Sequence, residues 1–302
     1  MPIIRVDHEL VTVQPKGAPL LQQDEQTSRS LEEVSDSGLD REWNRARRKL
    51  ALRMPAPTLE QLGVRVSVVI AAMNEAENLP YVFAQLPDGL HEVVLVDGHS
   101  VDDTVAVARR LRGDIKILSQ TGRGKGNALA DGFAICTGEI IVALDADGST
   151  DASEIPRFVA ALCNGADFVK GSRFAQGGSS TDITAVRRIG NHALNAFVNA
   201  LYGTHYTDLC YGYNAFWARC LPYMHVDCDG FEVETLINVR IAKAGLVVHE
   251  VPSYEHPRLH GSSNLHAVRD GSRVLRTIVL ERLSTASQHS LLPRIAHRLL
   301  AG

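Results

Sequence analysis

The feature that most constrains this chain is the stretch Glu139-Ile140-Ile141-Val142-Ala143-Leu144-Asp145-Ala146-Asp147-Gly148, where an apolar run stops at two carboxylates one residue apart. A continuous apolar run of this length reads as a strand buried on both faces, the kind found in mostly parallel α/β sheets. Open sheets of that type bind ligands beyond the carboxyl ends of their strands, so Asp145 and Asp147 are expected at the rim of a cleft. Side chains two apart on an extended segment point the same way, and both carboxylates can then face one hard cation or one polar ligand. The competing reading makes them helix caps. Asp151 and Ser153 already supply helix-start residues further on.

From Val66 onward the same design repeats. Val66–Ala71, Glu92–Val96, Ile115–Ser119 and Phe168–Gly171 read as strands, with Leu79–Leu86, Thr104–Leu111, Gly126–Ile135 and Ile155–Cys163 as helices between them. This alternation implies a mostly parallel sheet with right-handed crossovers, a nucleotide-binding type of scaffold. The segment before it differs. Residues 1–60 form an N-terminal extension, partly disordered or helical, in which Leu39–Met54 is a charged helical piece ending at Pro55 and Pro57. One main domain is expected over 64–283, with a first half (64–150) of nucleotide-binding type and a second half (151–283), followed by a tail (284–302).

The loops after the strands are rich in polar groups. They are Asn74-Glu75, then Asp97-Gly98-His99-Ser100 with Asp102 and Asp103, then Thr121-Gly122-Arg123-Gly124-Lys125-Gly126-Asn127, then the acid pair. All should collect on one sheet edge. Glu75 and Asp97 are suited to accept from a base N–H or sugar hydroxyls, and the Gly-rich turn can cradle a phosphate beside Lys125. Ser100 and Asp103 resemble a capping box for the helix starting at Thr104, which leaves Asp97 free. The Gly-rich turn lacks the Ser/Thr that follows Lys in a P-loop, and it follows the third strand. Neither the P-loop nor the dinucleotide fingerprint applies.

Composition excludes some classes of partner. A formal net charge of -4 with no basic stripe makes nucleic acid an unexpected partner. The five cysteines form no C-x-x-C pair, as in reduced cytosolic proteins. The first residues lack a signal-peptide layout, and no apolar run approaches the ~20 residues of a membrane span. A soluble, cytoplasmic protein is expected, with peripheral contact to the inner face of the membrane and homo-oligomerisation both open.

Taken together, Val66-Ser67-Val68-Val69-Ile70-Ala71-Ala72-Met73-Asn74-Glu75, Val96-Asp97-Gly98-His99-Ser100-Val101-Asp102-Asp103-Thr104, Gly124-Lys125-Gly126, Asp145-Ala146-Asp147 and Gly171-Ser172-Arg173 resemble family-2 glycosyltransferases. Within that family the chain looks most like the polyprenol-phosphate (dolichol-phosphate) mannosyl- and glucosyltransferases, over roughly residues 64–280. The resemblance implies a GT-A type, Rossmann-like α/β/α sandwich with C-terminal helices. It implies donor-nucleotide contacts from Ala71, Met73, Glu75, Asp97, Gly124, Lys125, Asp145 and Ala146, and Mg²⁺ or Mn²⁺ held by Asp145 and Asp147. Asp147 would also serve the chemistry, and Arg173 would reach a donor or acceptor phosphate.

Further along, Arg187 opens a helix whose N-terminal cations can face an acidic acceptor; a solvated helix end is the alternative. Thr207-Asp208-Leu209-Cys210-Tyr211-Gly212-Tyr213-Asn214-Ala215-Phe216 resembles a family segment that makes Asp208 the first candidate for general base or acceptor orientation. Glu234, after Asp229-Gly230-Phe231, is the second. Tyr254–Leu265 resembles the loop that closes over the donor pyrophosphate, with Arg258, His260 and Ser263 toward phosphate. Two departures stand out: Ser149 replaces a Gln usual in the dolichol type, and Asn264 replaces a Lys. Ala267–Leu283 reads as an amphipathic helix for core packing or a membrane surface.

The implied reaction is metal-dependent, inverting transfer of a hexose from a UDP-glucose or GDP-mannose type donor to a polyprenyl phosphate or a small soluble hydroxyl acceptor. A nucleotidyltransferase would want a Gly-rich loop with Arg and Lys after the first strand, where Ala72-Met73-Asn74-Glu75 stands instead. A non-catalytic sugar-nucleotide-binding protein is the remaining alternative.

Overall fold

The computed structural model describes residues 3–6, 9–12, 56–262, 265–266 and 269–284. The chain divides into two units, Met1–Met54 and Pro55–Gly302. In the first, β1 (Ile3–Val6) pairs antiparallel with β2 (Glu9–Thr12). A hairpin thus stands where helix or disorder is expected; Ile3, Ile4, Val6, Val11 and Thr12 are β-branched and favour extended backbone. The expected helix Leu39–Met54 and residues 285–302 lie outside the described residues.

In the second unit α1 (Leu59–Leu62) leads into β3 (Val66–Ala72), α2 (Leu79–Gln85), β4 (Glu92–Asp97), α3 (Thr104–Leu111), β5 (Lys116–Ser119), α4 (Gly124–Ala134) and β6 (Ile140–Asp145). There follow α5 (Ile155–Cys163), β7 (Phe168–Ser172), β8 (Ser179–Ser180), α6 (Ala185–Tyr202), β9 (Asn214–Trp217), α7 (Leu221–Met224), α8 (Val233–Lys243), β10 (Val248–Pro252) and β11 (Tyr254–Glu255), and a final helix, α9, spans 269–284.

Seven strands form one sheet in the order β10-β7-β9-β6-β3-β4-β5. Neighbours run parallel except β9, which pairs antiparallel with both β6 and β7. The sheet is mostly parallel, as the alternation implies. The residues of β9 do not announce a strand, because four residues that enter from a long helical crossover carry too little periodicity to read. Register sets the site: Ala71 pairs with Asp145 and Ala72 with Asp97, so β3, β4 and β6 end level at one rim.

Alternate residues of the central strands feed separate cores. Val68 and Ile70 pack with Leu79, Val82, Phe158 and Tyr213, whereas Val69 packs with Val94, Leu129, Phe133 and Phe216. Fully burying each large apolar side chain contributes about 1.5–3 kcal/mol, which is why these strands are near-continuously apolar. A third cluster joins Val198 of α6, Tyr206, Leu209, Val239 of α8, and Val274 and Ile278 of α9. One face of α9 therefore packs into the body, while Leu275, Val279, Leu280 and Leu283 on the same helix are exposed. Among the described residues no helix is long and apolar enough to cross a membrane.

Candidate active site

Beyond the level ends of β3, β4 and β6 lies a cavity of about 670 Å³. Of the nucleotide contacts that the resemblance implies, Ala71, Met73, Glu75, Gly124, Lys125, Asp145 and Ala146 line it, and so do Asp147, Arg173, Arg187, Glu234 and Arg258. Asp97, His260 and Asp208 do not. Ser263 lies outside the described residues.

The rim loops brace one another. Asn74 and His99 sit at φ 59° and 62°, the left-handed region that residues with a Cβ other than Asn, Asp or His rarely adopt. They hold it because the loops are cross-linked: Ser100 Oγ accepts from Asn74 N at 2.9 Å, and Asn74 Oδ1 accepts from Val101 N at 2.8 Å. Ser100 is therefore not the helix cap; the N-cap position is Asp103, which makes no side-chain cap bond, and Asp102 Oδ1 before it accepts from Thr104 N at 3.0 Å. Asp97 turns its carboxylate back to Ser100 N at 3.3 Å and closes its own loop behind Gly98.

The two rim acids have different counter-charges. Asp145 Oδ1 lies 2.6 Å from Lys125 Nζ, which also binds Glu234 Oε1 at 2.6 Å. Burial opposes charge on Lys125, but the facing carboxylates outweigh it and hold the ammonium well above its ordinary range. Burial raises Glu234, with Lys125 pulling the other way. Asp147 is held from one side by Ser149 N (3.0 Å) and Oγ (2.7 Å), and from the other by Arg258 Nη2 at 3.3 Å. Arg258 also donates to Glu75 at 3.1 Å from both terminal nitrogens. Burial pushes the Glu75 carboxyl up despite Asn78 and Arg258 beside it.

Two N–H groups of the Gly-rich turn are engaged within the protein. Gly122 N donates to Asn127 Oδ1 at 2.7 Å and Gly126 N to Asp229 O at 2.9 Å. A Cβ on Gly126 would lie 2.0 Å from Cys228 O, and one on Gly124 2.1 Å from Asp229 O, so backbone packing demands these glycines. The turn delivers Lys125 to two carboxylates.

Asp208 is also placed differently from the sequence reading. Its side chain is fully buried, taking Arg173 N at 3.0 Å, Arg173 Nε at 2.7 Å, Arg173 Nη2 at 2.9 Å and Asn191 Nδ2 at 2.9 Å. A carboxylate saturated by a bidentate guanidinium and an amide has no lone pair aimed at an acceptor. Asp208 holds Arg173, whose Nη1 donates to Glu255 Oε1 at 2.9 Å and whose guanidinium lies 4.7 Å from the Tyr211 ring centre. Sequence reasoning missed Glu255, Tyr211 and Gly212 on this wall. Their signal, Tyr254-Glu255 before His256-Pro257, gives no hint of a partner so far upstream.

His260 binds through its backbone, N to Asn78 Oδ1 at 3.0 Å and O from Asn78 Nδ2 at 3.2 Å, with its ring 5.8 Å from Tyr81. Arg187 pairs with Asp182 at 3.5 Å on the cavity wall.

A mostly parallel sheet with carboxylates at its rim and a cavity before them is the arrangement of a GT-A fold, and the comparisons make the class that of a glycosyltransferase. The profile of glycosyl transferase family 2 matches residues 67–221. Glycosyltransferase AglJ of Haloferax volcanii is 32% identical over 209 residues, 68% of either chain. The undecaprenyl-phosphate mannosyltransferase of Micrococcus luteus is 30% identical over 63% of this chain and 82% of its own. The crystal structure of glucosyl-3-phosphoglycerate synthase from Mycobacterium tuberculosis, in complex with Mn²⁺, UDP and glucosyl-3-phosphoglycerate, superposes with a TM-score of 0.61 at 24% identity, over 76% of this chain and 85% of that one. That likeness is one of fold. The chain belongs to glycosyl transferase family 2 and is a transferase.

Proposed function

We propose that the chain is a divalent-cation-dependent, inverting hexosyltransferase that takes a nucleotide-diphosphate sugar of UDP-glucose or GDP-mannose type and delivers the hexose to an acceptor oxygen that is already anionic, a polyprenyl phosphate in the first instance. The observation that carries this is the commitment of Asp208 to Arg173. With that carboxylate saturated, the best-placed base of the sequence reading is absent, and an ionised phosphate oxygen needs none. The names of relatives that act on undecaprenyl phosphate support the acceptor class. The structural neighbour crystallised with glucosyl-3-phosphoglycerate favours a second reading, a small soluble acceptor.

The donor set fits Mg²⁺ or Mn²⁺. Asp145 and Asp147 offer hard oxygen ligands at the cavity wall, and among the described residues no group of three His, Cys, Asp or Glu is placed to hold an ion alone. A cation that arrives with its own diphosphate oxygens and waters suits such a half-built site. When bound it supplies neutralisation of charge on the departing diphosphate. This chain's residues do the rest. Asp147 and Asp145 would hold the cation, Glu75, Met73 and Ala71 would bound the nucleoside, and Glu234 with Lys125 would floor the hexose space. Arg173, Arg187 and Arg258 face the phosphates. The test is radiolabelled transfer from UDP-glucose and GDP-mannose, with Mn²⁺ or EDTA, to undecaprenyl phosphate and to 3-phosphoglycerate. Organic-soluble product supports the lipid acceptor, water-soluble product the second reading, and no product with any pairing contradicts both.

A further inference from the structure

The segment after β11 is docked onto the rim from far away in the chain. His256 N donates to Ser149 O at 2.8 Å, Leu259 covers Gly148, and the His260 backbone clasps the Asn78 side chain. The docking sets the Arg258 guanidinium between Glu75 and Asp147, two carboxylates from different strand ends. Its Nε is buried without a hydrogen-bond partner. The guanidinium is partly exposed and lines the cavity, so an anion bound there becomes a third charge-assisted partner beside the two acids.

We propose that Arg258 is a surrogate cation: it occupies Asp147 in the ligand-free protein, opposes binding of a bare divalent ion there, and moves to the diphosphate when ion and nucleotide arrive together. This rests on the reading that Asp147 holds the donor's cation. A guanidinium and a divalent ion cannot share one carboxylate without mutual repulsion, so the ion alone must displace Arg258 at full cost. A diphosphate supplies Arg258 with a new charge-assisted partner and removes that cost. Ion and nucleotide are coupled directly through the diphosphate oxygens on the ion; Arg258 adds to that coupling, and by linkage each ligand raises the affinity for the other by the same factor. The chain would thereby avoid holding a metal in an empty site.

The test is Mn²⁺ binding followed by the electron paramagnetic resonance signal of the free ion, with and without UDP or GDP, on the full chain and its Arg258→Gln, Arg258→Lys and Asp147→Ala variants. Replacing the guanidinium removes one charge-assisted competitor, so Arg258→Gln should bind Mn²⁺ alone about tenfold more tightly than wild type, and nucleotide should enhance that binding about tenfold less than it does in wild type. Arg258→Lys, which keeps the charge, should stay close to wild type without nucleotide. An Arg258→Gln variant with unchanged affinity for bare Mn²⁺, while Asp147→Ala loses Mn²⁺ with nucleotide, overturns the surrogate role and leaves the metal reading standing. Asp147→Ala binding Mn²⁺ and nucleotide as wild type does overturns the reading beneath it.

Discussion

Two ion clusters face the same cavity, and they are built on opposite principles. At the rim, Asp147 and Glu75 meet an arginine lent by a distant loop, and Asp147 is 20% exposed. Along the wall that Arg173 lines, Asp208 and Arg173 are 0% and 3% exposed and bound by a bidentate pair that Asn191 and Glu255 complete. Partly exposed ions exchange partners cheaply, whereas unpairing a buried ion costs several kcal/mol. On the proposed reading the rim is where ligands are exchanged, and the wall is a fixed frame that aims one guanidinium.

The sharpest break of this comparison is a pair of alanine variants. Asp147→Ala should lower transfer at least about a hundredfold, the scale of losing one preorganised electrostatic contact, while the melting temperature stays within a few degrees of wild type. Asp208→Ala should act on stability as well as on transfer. It leaves Arg173 buried without its partner, costs about 3–5 kcal/mol and lowers the melting temperature by roughly ten degrees for a unit of this size. Differential scanning calorimetry beside the transfer assay separates the two. Equal melting temperatures would show that the wall is no frame.

A milder variant sharpens the assignment of Asp208. Asp208→Asn keeps the shape and removes the charge, so turnover should fall together with stability while the pH profile of kcat/KM keeps its limbs. Loss of the acidic limb would restore Asp208 as a base.

Two further carboxylates predict pH effects of opposite sign in the two halves. Glu92, in β4, is pulled to about 2 although burial works against it, because Lys116, Ser67 and Thr137 donate to it. With its folded value below the ordinary 4.5, it adds stability above that value, and the gain fades as pH falls from 4.5 toward 2. Glu154, which accepts from Ser253 Oγ at 2.6 Å and Tyr254 N at 3.2 Å, is pushed by burial to about 7. Its folded value lies above 4.5, so the stability it lends at low pH is lost as pH rises from 4.5 through 7. Melting curves against pH should show Glu154→Gln overtaking wild type across that upper window. The advantage of wild type over Glu92→Gln should shrink across the lower one. Parallel curves would contradict either assignment.

The same contrast explains what could be read from the residues. The rim was legible because each of its parts is local: a strand's last residue is known once the strand is known, and parallel register brings Ala71 level with Asp145. The wall was not, since Arg173 finds Asp208 at a separation of 35 residues and Glu255 at 82, and no periodicity encodes such pairings. Lys125 shows the intermediate case. Its place in a Gly-rich turn pointed to phosphate, yet the glycines answer to the backbone of Cys228 and Asp229, and the ammonium to Glu234 across 109 residues. Four-residue β9 shows how a strand vanishes when it is too short to carry a pattern.

The account turns on Asp147 as the residue that seats the donor's cation and diphosphate. Calorimetric titration of UDP and GDP into the protein in saturating Mn²⁺, repeated with Asp147→Ala, tests it most directly. At least one nucleotide should bind wild type, lose affinity when Mn²⁺ is replaced by EDTA, and lose about a hundredfold in the variant. Binding of equal strength in wild type and Asp147→Ala would contradict the account.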